Sequence, residues 1–448
     1  MLIAFSVENY RSFRDEARLS MVAADLVSKP AELDTNNVFA ATDKINLLTS
    51  AAAYGANASG KSNLVGAIAL MKQLVLNSSR ESRMGDPLDV QPFLLNTGTR
   101  AKPTRIEIVF VHQKTVYRYG FAITRDVVEQ EWLHATLTKQ ESYLFERDKD
   151  TIKINAKRFK EGLHLEARTR KNALFLSVVA QFNGPVAVKL MKWFLALRVN
   201  PAIDASIVNS RYVPQRFLRT EFREEIVALV RQFDLGIDDV QVEDSPEEYV
   251  VRKRRDGTEE RRLMRTGSSS VVTTHHKVFD SEGNAAGTEI FELINHESQG
   301  TQRLFTLAEP VLLALHHGAP LIIDEIDARL HPLLTIALIR LFNSPETNPR
   351  HAQLIFTTHD TNLLSADLLR RDQIWFVEKS SRGESVLYSL AEFRVNGGPV
   401  RNDAAYEKNY IQGRYGAIPF IGDLSAILRK PEPQAATEAI EFDEEVDE

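Results

Sequence analysis

The chain has no cysteine in its 448 residues, so disulfides and thiolate metal sites are excluded. That fits a cytoplasmic protein. No run of about eighteen apolar residues occurs, so no membrane span is expected. The opening MLIAFSVENYRSF lacks a basic region followed by an apolar core, which argues against a signal peptide. A net charge of −6 gives no global drive toward nucleic acid. There is no internal repeat. No sustained heptads are present, so no long coiled-coil arm is expected.

What is present is an ordinary globular composition, 43% hydrophobic and 26% charged. At roughly 150 residues per unit the length suggests two to three compact units. Apolar alternation at Leu2, Ile3, Phe5 and Val7 predicts an early strand. TRIEIVFVHQ, VYRYGFAITRD and EQEWLHATLTKQESYLFER read as antiparallel strands separated by turns. KNALFLSVVAQFN, PVAVKLMKWFLAL and FREEIVALVRQF read as helices, the last ending near Gly236 before a strand. The stretch VRKRRDGTEERRLMRTGSSS is the most polar inside the chain and suggests a mobile hairpin or loop. KVFDSEGNAAGTEIFELI reads as a hairpin turning at Asp-Ser-Glu-Gly. APLIIDE, RHAQLIFTTHD and DQIWFVEKSS read as buried strands, and the acidic tail as disordered.

Three motifs carry chemistry. Gly55-Ala56-Asn57-Ala58-Ser59-Gly60-Lys61-Ser62, followed by Asn63, lies between an apolar strand and a helix, the setting a phosphate-binding loop needs. Its glycines let the backbone wrap phosphates, whose charge is met by N–H groups and the helix N-terminus. Lys61 would reach the β- and γ-phosphates of ATP, and Ser62 would hold Mg²⁺. LIIDE is an apolar strand ending in two carboxylates. Asp324 stands where such a site needs a further Mg²⁺ contact, and Glu325 where the attacking water would be polarised. TTHD ends the next apolar strand, and His359 there would reach a γ-phosphate, since ligands gather at the carboxyl ends of parallel strands.

ESQGTQRLF precedes LIIDE. Ser298 as a helix cap leaves N–H groups free for an anion. In this order the motifs resemble the ABC-type ATPase heads, the group that includes SMC proteins and related repair ATPases. In that superfamily a Ser-x-Gly signature caps the helix before the acidic strand and meets the nucleotide of the opposite subunit. Ser298 and Gly300 match it, although Leu-Ser-Gly-Gly is replaced by Glu-Ser-Gln-Gly. The resemblance implies a D-loop role for Asp327 and a base-stacking role for Arg11 in YRSF. It also implies a glutamine at the metal. Gln91 and Gln181 both qualify, and Gln91, ahead of the lobe strands, is preferred.

YGANASGKSN, ESQGTQRLFTLAEPVLLAL, LIIDEIDARLHPLL and TTHDTNLL together are similar to the bacterial RloA/AbiL kind of ABC-like ATPases. So are FSVENYRSF and YIQGRYGAIPFIGD. The resemblance implies a role in phage defence beside a nuclease-like or toxin-like effector. Related OLD proteins continue into a Toprim nuclease. The 89 residues after His359 contain no Asp-x-Asp, so a built-in Toprim activity is not expected.

The expected fold is α/β: a P-loop NTPase of ABC/SMC-head type with an antiparallel lobe and a helical/β insertion. The expected division is 1–150 and 291–425 for the two halves of the head, 151–290 for the insertion, and 426–448 for the tail. The expected partners are a second copy of the chain, or a higher homo-oligomer, and an effector protein. Nucleic acid would contact the basic run Arg252-Lys253-Arg254-Arg255, Arg261-Arg262 and Arg265, where interleaved Glu259 and Glu260 favour a solvated hairpin instead. His275-His276 and His316-His317 fit no metal spacing and read as structural. IQGRYGAIP reads as a closing turn or a partner surface. Two rival functions are an SMC-like DNA-maintenance ATPase and a non-hydrolysing ATP-bound scaffold.

Overall fold

The computed structural model describes residues 1–80, 83, 85–136, 140–200, 221–233, 236–245, 249–253, 259–263, 269–395 and 397–419. The acidic tail, and Arg254, Arg255 and Arg265 of the basic run, lie outside the described residues.

The centre is a six-stranded sheet, in the order Arg198–Asn200, Pro320–Ile323, Gln353–Thr357, Ser50–Tyr54, Ile374–Lys379, Ser385–Ser389. The first five run parallel and the last is antiparallel. Side chains alternate between faces along a strand, and that period divides the core in two. Ala51, Ala53, Ile322, Ile355, Trp375 and Val377 face one cluster. Ala52, Tyr54, Leu321, Ile323, Leu354, Phe356, Ile374 and Phe376 face the other. Both faces are covered, as a parallel sheet requires, which is why LIIDE and LIFTT read as continuous apolar runs.

On the first face lie the helices Lys61–Asn77, Phe175–Gln181 and Pro185–Ala196. A seven-stranded antiparallel sheet closes this core, in the order Thr151–Ile154, Glu141–Asp148, Val128–Thr136, Thr115–Ile123, Thr104–His112, Leu2–Glu8, Ala17–Ser20. On the second face lie Gln299–His317, Pro332–Asn343 and the C-terminal tyrosines. IQGRYGAIP is a closing turn: the Tyr410 hydroxyl donates to Ala417 O at 3.0 Å, and the Tyr388 hydroxyl to Tyr415 O at 2.6 Å.

The expected insertion contains the helix Arg223–Phe233 and a three-stranded antiparallel sheet of Asp239–Ser245, Ser269–Phe279 and Ala285–Glu292. The polar stretch forms a strand pair, Tyr249–Lys253 with Glu259–Leu263. The hairpin at 280–284 turns as read, with Asp280 accepting from the N–H groups of Glu282 and Asn284 at 2.9 Å each. Among the described residues the longest helix has 19 residues, and none is long and apolar enough to cross a membrane.

Candidate functional site

The parallel register brings three strand ends together. Ile323 pairs with Phe356, and Thr357 pairs with Ala53, one residue before the end of the P-loop strand. The loop 55–60, Asp324–Glu325 and Thr358–His359 therefore emerge side by side, at the carboxyl edge where α/β sheets bind ligands.

The loop is braced from two distant segments. The Ser385 hydroxyl donates to Ser59 O at 2.5 Å, and Asn63 Nδ2 donates to Ser12 Oγ at 2.7 Å. Ser385 N in turn donates to Ser12 O at 2.7 Å. Gly60 has φ +115°, and a Cβ there would lie 2.5 Å from Ser385 Oγ and 2.7 Å from Ser12 Oγ. Only glycine fits this turn. Asn57, Ala58 and Ser62 are exposed, and Lys61 is buried.

Lys61 Nζ donates to two neutral acceptors at the start of its own loop, Gly55 O at 2.8 Å and Ala56 O at 3.1 Å. Burial lowers its pKa to about 8, against the opposing pull of Asp324, Glu325 and Asp327. A buried ammonium that bonds only to carbonyls suits an incoming anion.

The acidic strand end is organised by Thr357. Its hydroxyl donates to Asp324 Oδ1 at 2.5 Å and accepts from Glu325 N at 2.7 Å. Glu325 sits at φ +50°, in the left-handed region, which costs about 1 kcal/mol or more for a residue with a side chain. Asp327 Oδ2 accepts from His359 N at 3.4 Å, while Asp327 Oδ1 is buried without a partner. Burial, then the nearby Lys61, hold His359 below its ordinary pKa.

Gln299–His317 is capped as expected: Ser298 Oγ accepts from Thr301 N at 3.1 Å. Gly300 has a second reason to be glycine. A Cβ there would lie 2.9 Å from Arg329 O, so the helix start packs on the segment after Asp327. Arg303, only 5% exposed, donates from Nη2 to Glu325 O at 3.0 Å and to Asp324 O at 3.3 Å. Its Nε and Nη1 are buried without partners. Unpaired buried donors beside an unpaired acceptor mark a polar site rather than a packed core.

Lys61, Asp324, Glu325, Asp327 and His359 are thus brought together. Arg11 and Gln91 are not brought to the carboxylates. Arg11 lies along the P-loop helix, its Nη1 3.4 Å from where a Cβ on Gly66 would be, and its N–H donates to Gln91 O at 2.9 Å. The Gln91 side chain is exposed, and Gln181 ends the helix Phe175–Gln181. Thr357, Ser385 and Arg303 carry no role in the sequence motifs. An arginine five residues after the cap, beside Leu304 and Phe305, was the one signal available.

Among the described residues no cluster of three His, Asp or Glu could hold a metal ion by itself. Ser62 and Asp324 offer a sparse set of hard oxygens. That suits Mg²⁺, which binds through one or two protein oxygens plus phosphates and water.

The sequence from residue 52 to 365 matches the family model described as "AAA domain, putative AbiEii toxin, Type IV TA system". No curated protein matches the chain. Among solved structures it is similar to an SMC head bound to the C-terminal winged-helix domain of ScpA. That match has 13% identity and a TM-score of 0.41, and covers 87% of this chain and 97% of the other. It is also similar to the SMC head domain from Thermotoga maritima, at 14% identity and a TM-score of 0.38, covering 88% and 99%. With its P-loop on the carboxyl edge of a parallel sheet and a family match over more than half its length, the chain belongs to this AAA-domain family of P-loop ATPases.

Proposed function

We propose that the chain binds and hydrolyses Mg–ATP at a site completed by a second copy, and that its nucleotide state governs a separate effector. The observation that carries this reading is the division of the motifs. Lys61, Asp324, Glu325 and His359 share one set of strand ends, whereas Ser298 and Gln299 are exposed. Among the described residues, the hydrogen bonds of Ser298 stay within its own helix. A capped helix start of this kind presents free N–H groups that favour an anion.

When bound, Mg–ATP supplies the phosphoanhydride that water attacks, with the metal offsetting charge. The N–H groups of Gly55 to Asn63 surround the phosphates, and Lys61 exchanges its loop carbonyls for phosphate oxygens. Ser62 and Asp324 would hold the metal. Glu325, its main chain pinned by Thr357, takes a proton from the water. His359 donates toward the γ-phosphate. Arg11 stacks on the base. Ser298, Gly300 and Asp327 serve the site across the dimer. In this scheme 1–150 and 291–425 are the two halves of the head, 151–200 adds strands and helices to it, and the rest of 151–290 is the insertion.

The effector is proposed to be nuclease-like or toxin-like and to act in anti-phage defence within the cytoplasm. The likeness to RloA/AbiL motifs supports this, as does a family description that names a toxin of a Type IV TA system. DNA ends that stimulate turnover would favour DNA maintenance instead.

Glu325→Gln tests the centre of the reading. Turnover should fall by about 100-fold or more, the scale of a lost general base, with nucleotide still bound. Size measurement with Mg–ATP should then show an accumulated dimer. Unchanged turnover would remove Glu325 from the mechanism, and a persistent monomer would remove the composite site.

A further inference from the structure

Glu297, directly before the Ser298 cap, stands where the usual signature has leucine. A carboxylate beside an anion-binding helix start repels phosphate unless something turns it aside. Here one oxygen, Glu297 Oε1, is held by two side chains from the strand Ser269–Phe279. His276 Nε2 lies 2.7 Å away, and the Thr274 hydroxyl donates to the same oxygen. Thr274 is fully buried, and the Glu297 side chain is 10% exposed.

Two further features fasten this sheet to the capped helix. Gln302, on the helix, donates from Nε2 to Ile294 O at 3.0 Å and to Glu297 O at 2.9 Å, stapling the connection that descends from the strand Ala285–Glu292. The hydrophobic core of this region is itself closed by the helix: Ile226, Val230, Val272 and Leu293 pack with Phe305 and Ala308. A displacement of the sheet is therefore a displacement of the helix start, because close-packed interiors transmit strain rather than absorb it.

We propose that Glu297 and His276 are positioning residues of the composite ATP site, through which the insertion's three-stranded sheet sets where the helix start meets the partner's nucleotide. The inference rests on the reading that Ser298 and Gly300 serve the site across the dimer. It gives the insertion a function: whatever binds it acts on ATP turnover through the Glu297 contact and leaves the P-loop alone.

The test uses the full chain. Steady-state ATP turnover and binding of a fluorescent ATP analogue are measured for Glu297→Ala, His276→Ala, their double variant, Glu297→Gln and Ser298→Arg. Each alanine variant should lose about tenfold in kcat with analogue affinity within about twofold of the parent. The double variant should be no worse than either single, as for two halves of one contact. Glu297→Gln keeps an acceptor oxygen and should restore most of the rate. Full turnover in both alanine variants, while Ser298→Arg is inactive, would overturn the positioning role and leave the composite site standing. Additive losses in the double variant would overturn the paired contact. A fully active Ser298→Arg would sink the composite site and this inference with it. If the alanine variants melt early, Thr274→Val decides: with little change of shape it removes the hydroxyl that bonds Glu297 Oε1 and also meets His276 Nε2 and Phe291 O, and full turnover there overturns the proposal.

Discussion

Lys61 shows how a single residue can be legible in type and illegible in state. The motif identifies it, because a phosphate loop needs a cation at that spacing. Its lowered pKa depends on burial that no local pattern reveals. The consequence is a pH dependence with a definite sign. Without nucleotide Lys61 titrates at about 8, and an anion favours its protonated form. ATP affinity should be level below pH 8 and fall above it, by up to about tenfold per pH unit. Equilibrium titration with a fluorescent ATP analogue at pH 7, 8 and 9 checks this, and Lys61→Met should flatten the profile. Asp324, Glu325 and His359 were likewise readable as strand-end residues. Thr357 was not, since a threonine ending an apolar strand looks like β-propensity alone. Its partners are 33 and 32 residues away, and only strand pairing brings them within reach.

At the scale of elements, the parallel strands were visible as short apolar runs and the lobe as alternation, because burial on two faces or one writes those patterns directly. The cap at Ser298 was visible for the same local reason. What the helix start touches was not. Gly300 shows the difference. In an isolated helix Gly300→Ala would gain about 1 kcal/mol from propensity. Here the new methyl would press on Arg329 O, so the helix start must shift away from the segment that carries Asp327. ATP turnover should drop several-fold while far-ultraviolet circular dichroism stays unchanged. Parent-like turnover would show that this close approach is not used. Arg303 belongs to the same scale: one helix reaches the carbonyls of Asp324 and Glu325, a tie across 21 and 22 residues.

For the molecule as a whole, the composite site makes a prediction that no single chain can satisfy. In the proposed dimer, Ser298→Arg would spoil the helix start that one copy lends to the other, and Lys61→Ala would spoil the loop that receives it. Each variant alone should be nearly inactive. Mixed, they can form one intact site per mixed dimer, so each mixed dimer should reach about half the parent rate, and a random equimolar mixture about a quarter. A titration of one variant into the other, read as ATP turnover, checks it; no rise at any ratio would remove the trans arrangement.

The sequence by itself determined the phosphate loop, the acidic strand, the cap and the α/β alternation, because each depends on neighbours within a few residues or on a fixed period. The tertiary structure decided which of these meet. Sheet order put Ser12 and Ser385 around Gly60, set Thr357 between Asp324 and Glu325, and pointed Arg303 at their carbonyls. It also gave Glu297 its partners on a strand that sequence alone could not register against it. The physical reason is the same in each case: a hydrogen bond reports distance in space, and separation along the chain carries almost no information about that distance until strand pairing and core packing have fixed the fold.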